Sequence, residues 1–142
     1  MADTVEFELV SPQRLLMSEP VEMVVVPGIE GDFGVLPGHS LLISAVRPGV
    51  IDIHENGKVR DRVFIAGGFA QVSPERCTVL AEEAVMVADI DRAAAEERLN
   101  KAKEALTEAG ETAKDPGGAD VRAAEKELKT AEAMLAAADI QS

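Results

Sequence analysis

The chain has 142 residues, 46% of them hydrophobic, which suits one ordinary domain or a small domain with an appendage and excludes global disorder. A net charge of −12, with four Phe and neither Trp nor Tyr, argues against aromatic platforms for single-stranded nucleic acid and leaves phosphate backbones and anionic lipid surfaces repelled on average. Cys77 is the single cysteine, so no internal disulfide forms; with no secretory pattern in "MADTVEFELV" and no run near the roughly 18–20 apolar residues of a membrane helix, a soluble, cytoplasmic product is expected.

Residues 3 to 88 are rich in Val and Ile and punctuated by Gly and Pro. "VEFELV" alternates, which predicts a strand with Val5, Phe7 and Leu9 on one face and Glu6 and Glu8 on the other. "VEMVVVPG" reads as a strand ended by Pro27-Gly28, and "LLISAVRPG" as one stopped by Pro48-Gly49. The segment "EGDFGVLPGHS" reads as a glycine-proline corner whose apolar residues reach a core or a partner. "VIDIHENGKVRDRVFI" predicts a hairpin, because Asn56-Gly57 supplies positive φ at both turn positions. Gly67-Gly68 marks a bulge or close backbone approach, and "FAQVSPERCTVLAEEAVMV" gives further strands around a Ser-Pro turn. Short strands without helical crossovers predict an antiparallel sandwich or barrel and make a parallel sheet improbable.

At about Asp89 the composition changes to alanine with Glu, Lys and Arg. Ala95, Leu99, Ala102, Leu106 and Ala109 recur at helical spacing, as do Ala124, Leu128, Ala131, Leu135 and Ala138. Gly110 and "KDPGGAD" separate the two arms, and Asp120 is the expected N-cap of the second. Matching Ala/Leu stripes across a short loop predict an antiparallel helical hairpin. The stripe covers only a coiled-coil seam, and alanine buries little area, so the hairpin is a candidate moving part as well as a candidate static cap. The overall expectation is an α+β chain in two domains, a sandwich over residues 1–88 and a two-helix hairpin over residues 89–142.

Chemistry finds little footing in these residues. Asp32-Phe33-Gly34 matches the magnesium-holding triplet of protein kinases, but the lysine strand and catalytic loop such an enzyme needs are missing. His39 and His54 stand fifteen residues apart with no partner at helical spacing, so no metal site is expected and His54 reads as a strand residue. Cys77 in "RCTVL" reads as a small apolar strand residue, and neither a nucleophile elbow nor a phosphate loop occurs. These residues point to a binding or mechanical protein.

"EGDFGVLPGHSLLISAVRPGVI", followed by "AGGFAQV", "TVLAEEAV" and "DID", resembles the epsilon subunit of bacterial F-type ATP synthase. The resemblance runs in order from about Val5 to Asp91, rests on Glu30-Gly31-Asp32, Gly34, Pro37-Gly38-His39, Leu41-Leu42 and Pro48-Gly49, and continues into an Ala-rich hairpin. It implies a flattened β-sandwich followed by an α-helical hairpin. It also implies a place in the central stalk, at the cytoplasmic face of the inner membrane, attached peripherally and only through the complex. The implied partners are the gamma subunit, the ring of c subunits and, transiently, the alpha/beta catalytic head, with no nucleic acid and no bond chemistry. The role would be coupling of proton-driven rotation to ATP synthesis, with restraint of ATP hydrolysis by the hairpin. By resemblance, Glu30, Gly31, Asp32 and Phe33 contact the ring and His39 faces gamma; the alternative for His39 is a turn residue bonded to its own backbone. Ile90, Asp91 and Ala95 match an ATP-binding motif of some members, but Ala94 replaces its arginine. Arg92 lies about 200° around the helix from that slot. Thr130 and Met134 stand where ATP-binding members carry further arginines, so no cofactor is expected. Arg122, Lys126 and Lys129 are the candidates for inhibitory contacts to the catalytic head. The competing reading is a stand-alone nucleotide-responsive regulatory binding protein.

Overall fold

Alternating Val/Ile/Phe segments and Ala/Leu segments separate cleanly in a computed structural model, which describes residues 4–112 and 118–140. The chain divides into two compact units, Met1–Val87 and Ala88–Ser142. Among the described residues the first holds ten strands: β1 Val5–Val10, β2 Leu15–Val21, β3 Met23–Gly28, β4 Gly31–Val35, β5 Leu42–Val46, β6 Gly49–Glu55, β7 Lys58–Ile65, β8 Gly68–Val72, β9 Arg76–Ala81 and β10 Ala84–Met86.

The strands run β10-β7-β6-β3-β5-β8-β9-β1-β2, with β4 paired to β3. Between β3 and β5 the ladder narrows to one residue pair, Gly28 with Val46. The sheet folds at this junction into two layers, β10-β7-β6-β3-β4 and β5-β8-β9-β1-β2. Val24, Val26, Ile51, Ile53, Val63 and Ile65 from one layer and Val5, Phe7, Leu9, Val72, Cys77 and Val79 from the other form a single core. The alternation read in "VEFELV" holds, with Val5, Phe7 and Leu9 inward. Each such side chain contributes about 1.5–3 kcal/mol through burial.

Asn56 and Gly57 have φ of 56° and 74°, so the expected hairpin turn joins β6 and β7. The Glu22 carboxylate accepts a hydrogen bond from Asn56 N at 2.8 Å. The close approach expected at Gly67-Gly68 is also present: a Cβ on Gly68, whose φ is +149°, would stand 1.8 Å from the Leu80 carbonyl oxygen.

The strands add three details to the expected antiparallel sandwich. The glycine-proline corner contains a strand, β4, and β3 runs through Pro27 and Gly28 to pair with Asp32 and Gly31. Residues 15–21 form β2, which the sequence reading left unassigned. Among the described residues one pair is parallel, β1 with β9, which are far apart in the chain and need no helical crossover because intervening strands bridge them.

A 3₁₀ turn, Val87–Asp89, spans the boundary between the units, and the second unit holds α1 Arg92–Thr112 and α2 Ala119–Asp139. Asp91 caps α1: its carboxylate accepts from Ala93 N at 3.0 Å and Ala94 N at 3.4 Å. Arg92 bonds to Asp139 and Arg98 to Glu127, so the start of α1 lies beside the end of α2 and the helices are antiparallel. Ala95, Ala102, Ala131 and Ala138 are buried along the seam while Leu99, Leu106, Leu128 and Leu135 are half-buried, which is the narrow stripe the sequence shows. Two boundary expectations are corrected. Gly110 lies inside α1, where an exposed glycine costs only about 1 kcal/mol against strong helix-forming neighbours. Asp120 lies in the first turn of α2, and the N-cap is Gly118, without a side-chain cap bond. Asp120 there complements the helix's positive end. Residues 113–117, with most of "KDPGGAD", lie outside the described residues. No described helix is long and apolar enough to cross a membrane.

Candidate functional site

Ile29 and Glu30 form a two-residue loop between the paired Gly28 and Gly31. Gly31 takes φ of +140°, a conformation that L side chains rarely adopt. A Cβ on Gly28 would stand 2.7 Å from the Gly31 carbonyl oxygen and 2.9 Å from the Phe33 ring. Glycine is therefore required at this corner, and Phe33 packs down on the core rather than outward. Ile29, Glu30 and Asp32 are exposed. The four residues expected to act together, Glu30 to Phe33, do lie together, but only the first three reach solvent fully.

Arg47, in the link between β5 and β6, fastens this loop. Its backbone N donates to the Pro27 carbonyl at 3.0 Å, and Ile29 N donates to the Ala45 carbonyl at 3.0 Å. The Arg47 guanidinium donates to the Gly28 carbonyl at 2.5 Å and to the Asp32 carboxylate at 2.5 Å. Sequence reasoning missed Arg47. Its only signal was a cation just before Pro48-Gly49, within reach of an acidic loop after folding.

His39 lies elsewhere. It precedes β5 whereas Arg47 follows it, so His39 and the acidic loop stand beyond opposite ends of that strand, on the order of 20 Å apart. Gly38 N donates to the Pro74 carbonyl at 2.8 Å, tying this corner to the β8–β9 turn. The His39 ring donates from Nδ1 to the Ser40 carbonyl at 2.7 Å, the local bond named as its alternative role. His54 lies on β6 opposite Met23, as a strand residue.

From the His39 corner to the acidic-loop end of β5, where Phe69 pairs with Ala45, the outer face of the second layer is unusually apolar. Leu41 is 80%, Ile43 75% and Phe69 60% exposed. Ala45, Phe69, Leu80, Val10 and Leu15 are successive cross-strand partners over β5, β8, β9, β1 and β2, forming one unbroken apolar row on that face. The beginnings of this row were visible as alternation in "GFAQV" and "CTVLA", where both sets of alternate positions carry apolar residues.

On the helices, Ile90 is buried and Asp91 is the cap already described. Arg92 pairs with Asp139 at 2.7 Å and Glu96 at 2.5 Å, and the hydrogen bond to Asp139, then both charges, raise its pKa. Ala95 is buried in the seam. A groove of about 420 Å³ is lined by Ala94, Glu97, Arg98, Lys101, Ala105 and Glu127. Its cations are matched by carboxylates: Arg98 holds Glu127 at 2.7 and 3.2 Å, and Lys101 holds Glu97 at 3.2 Å. Thr130 is buried, and Met134 Sδ lies 3.8 Å from Arg98 Nη1. Arg122, Lys126 and Lys129 are all exposed and recur at i, i+4 and i+7, which places them on one face of α2.

A sandwich bearing an acidic loop and an apolar face, followed by an Ala/Leu helical hairpin, defines a class of binding subunit. The model for the beta-sandwich domain of the ATP synthase delta/epsilon chain matches residues 4–87. The ATP synthase epsilon chain of Rhodospirillum rubrum is 54% identical over 137 residues, covering 96% of this chain and 98% of that one. The ATP synthase epsilon chain of Paramagnetospirillum magneticum is 60% identical over 109 residues, covering 77% and 82%. A chain in the structure of the Euglena gracilis mitochondrial ATP synthase, comprising OSCP, F1 and c-ring, superposes with a TM-score of 0.76 at 27% identity, covering 96% of this chain and 82% of that one. A chain of the Tetrahymena thermophila ATP synthase central stalk and c-ring shares the fold, with a TM-score of 0.58 at 14% identity over 94% and 96% of the two chains. This chain belongs to the ATP synthase epsilon-chain family.

Proposed function

We propose that this chain is a central-stalk rotor subunit that links the c-subunit ring to the gamma subunit and passes torque between them without bond chemistry of its own. The observation that carries the proposal is the bipolar sandwich. An acidic, glycine-framed loop stands beyond one end of β5, while Leu41 and Ile43 expose apolar surface toward the other. A coupling body needs two chemically distinct attachments held rigidly apart, and a shared aliphatic core supplies the rigidity. The loop fits the polar loops of a c-ring. The apolar face with His39 fits gamma, whose burial of Leu41 and Ile43 would make them anchors of that contact. Both attachments would lie at the cytoplasmic face of the bacterial inner membrane, with the chain held there by its partners.

The hairpin serves as the regulatory element in this reading. Arg122, Lys126 and Lys129 present a cationic stripe suited to an acidic segment of the catalytic head. Nucleotide has no part in this reading, which is supported by the cations round the groove at Ala94 already facing carboxylates. The family membership supports the stalk reading and lends nothing to a stand-alone nucleotide-responsive regulator.

The test is co-purification with gamma and with the c-ring. Ile43→Glu is expected to weaken gamma binding at least about tenfold while the melting profile holds, since a charge would be buried without a partner. Glu30→Lys is expected to leave gamma binding intact and weaken ring attachment. Retention of both partners by both variants overturns the proposal, as does saturable ATP binding by the isolated chain for its regulatory part.

A further inference from the structure

The ion pair between Arg47 and Asp32 divides the labour of the acidic loop. Asp32 spends its charge inside the chain, against a guanidinium 2.5 Å away, whereas Glu30 is exposed and makes no side-chain hydrogen bond or ion pair among the described residues. Two of the loop's ties come from one planar group, which spans from the Gly28 carbonyl to the Asp32 carboxylate and so bridges both arms of the β3–β4 hairpin. Arginine's fork is suited to this double donation, and a lysine ammonium is not. Phe33 beneath and the forced glycine at 28 fix the hairpin from the core side, while Arg47 fixes it from the solvent side.

We infer that Arg47 is the positioning residue of the ring-facing loop: it neutralises Asp32 and holds the Ile29-Glu30 tip so that Glu30 is the carboxylate offered to the partner. The inference rests on the ring-contact reading for its function, but its structural half stands alone. The loop partner is then recognised through one acidic group beside one exposed aliphatic side chain, Ile29. Such a tip fits a surface offering an amide or a basic group next to an apolar spot.

Amide hydrogen exchange on the full-length chain tests the structural half. In Arg47→Gln the Ile29 amide, bonded to the Ala45 carbonyl, is expected to exchange roughly tenfold faster. Arg47→Lys is expected to restore part of the protection. Asp32→Asn alone is expected to speed exchange less, and to add nothing in the Arg47→Gln background. Unchanged Ile29 exchange in a folded Arg47→Gln chain overturns the inference; where Arg47→Gln lowers the global melt, the Arg47→Lys chain gives the reading. Affinity for the isolated c-ring tests the functional half, and both Glu30→Gln and Arg47→Gln are expected to lower it several-fold. Loosened exchange with ring affinity untouched by Glu30→Gln upholds Arg47 as positioning residue and overturns the ring contact.

Discussion

Cys77 shows what a single buried position does to the chemistry of the chain. It sits on β9 within the core, fully buried, and burial pushes its thiol from 9.0 up to about 12. The native state therefore keeps the proton through a range where the unfolded chain releases it. The stability linked to this proton is complete below pH 9 and is lost as pH rises from 9 toward 12. Replacing Cys77 by Val, similar in volume and without a proton to lose, is expected to flatten the fall by up to about 1.4 kcal/mol per pH unit above that onset. Urea unfolding of both chains at pH 8, 9.5 and 10.5 checks this, and parallel declines in the two would contradict it. The native thiol is also expected to resist a disulfide reagent at pH 8 until denaturant is added. The inward role of Cys77 was legible in the sequence, because "RCTVL" alternates and the residue shares parity with Val79. Arg47 was not legible. Its partners lie 15 and 19 residues away across a junction that forms only when the sheet folds, and no period marks such a contact. Asp91 was read only through a ligand-binding motif, although an Asp before an alanine-rich run carries the plainer meaning of a helix cap.

Among the elements, the helical hairpin raises the question of what holds α1 to α2. Arg98 makes a two-pronged bond to Glu127, but that carboxylate is substantially exposed. Pairs of that kind contribute about 0–1 kcal/mol and weaken with salt. Close approach along Ala95, Ala102, Ala131 and Ala138 is the larger effect, since each permits backbone contact that a bulkier side chain would prevent. Ala131→Leu is expected to destabilise the hairpin by about 1–3 kcal/mol through overpacking, against about 1 kcal/mol or less for Glu127→Gln. Helix ellipticity followed through a thermal melt measures both, and raising the salt concentration should narrow the difference that Glu127→Gln makes. A larger loss from Glu127→Gln would mean that charge, not seam packing, governs the hairpin. This seam was visible in advance because four-and-three spacing is a strong periodic signal. β2 and β4 were not visible. β2 mixes exposed and half-buried positions without strict alternation, and β4 is glycine-rich and exposed along most of its length. Their strand state comes from partners: β4 from the ladder with β3, and β2 from β1.

Across the whole molecule, the two units have separate means of holding together. The sandwich closes its core with residues from its own two layers, and all of these lie between Val5 and Ala81. The family match ends at residue 87, where the last of its strands has already been placed. A chain lacking residues 89–142 therefore keeps every element of that core, and about 88 residues is a size at which a single core can sustain a fold. We expect the truncated chain to be soluble, to unfold in one cooperative step and to bind gamma with affinity within a few-fold of the full chain. Its loss of the basic stripe on α2 should release whatever restraint the hairpin places on ATP hydrolysis by the assembled enzyme, while coupled synthesis, which needs only the two sandwich attachments, continues. Hydrolysis and synthesis measured on the same reconstituted vesicles separate these effects. An aggregated or gamma-deficient truncation would show that the sandwich depends on the helices. Loss of synthesis with gamma binding intact would instead show that the helices belong to the torque path.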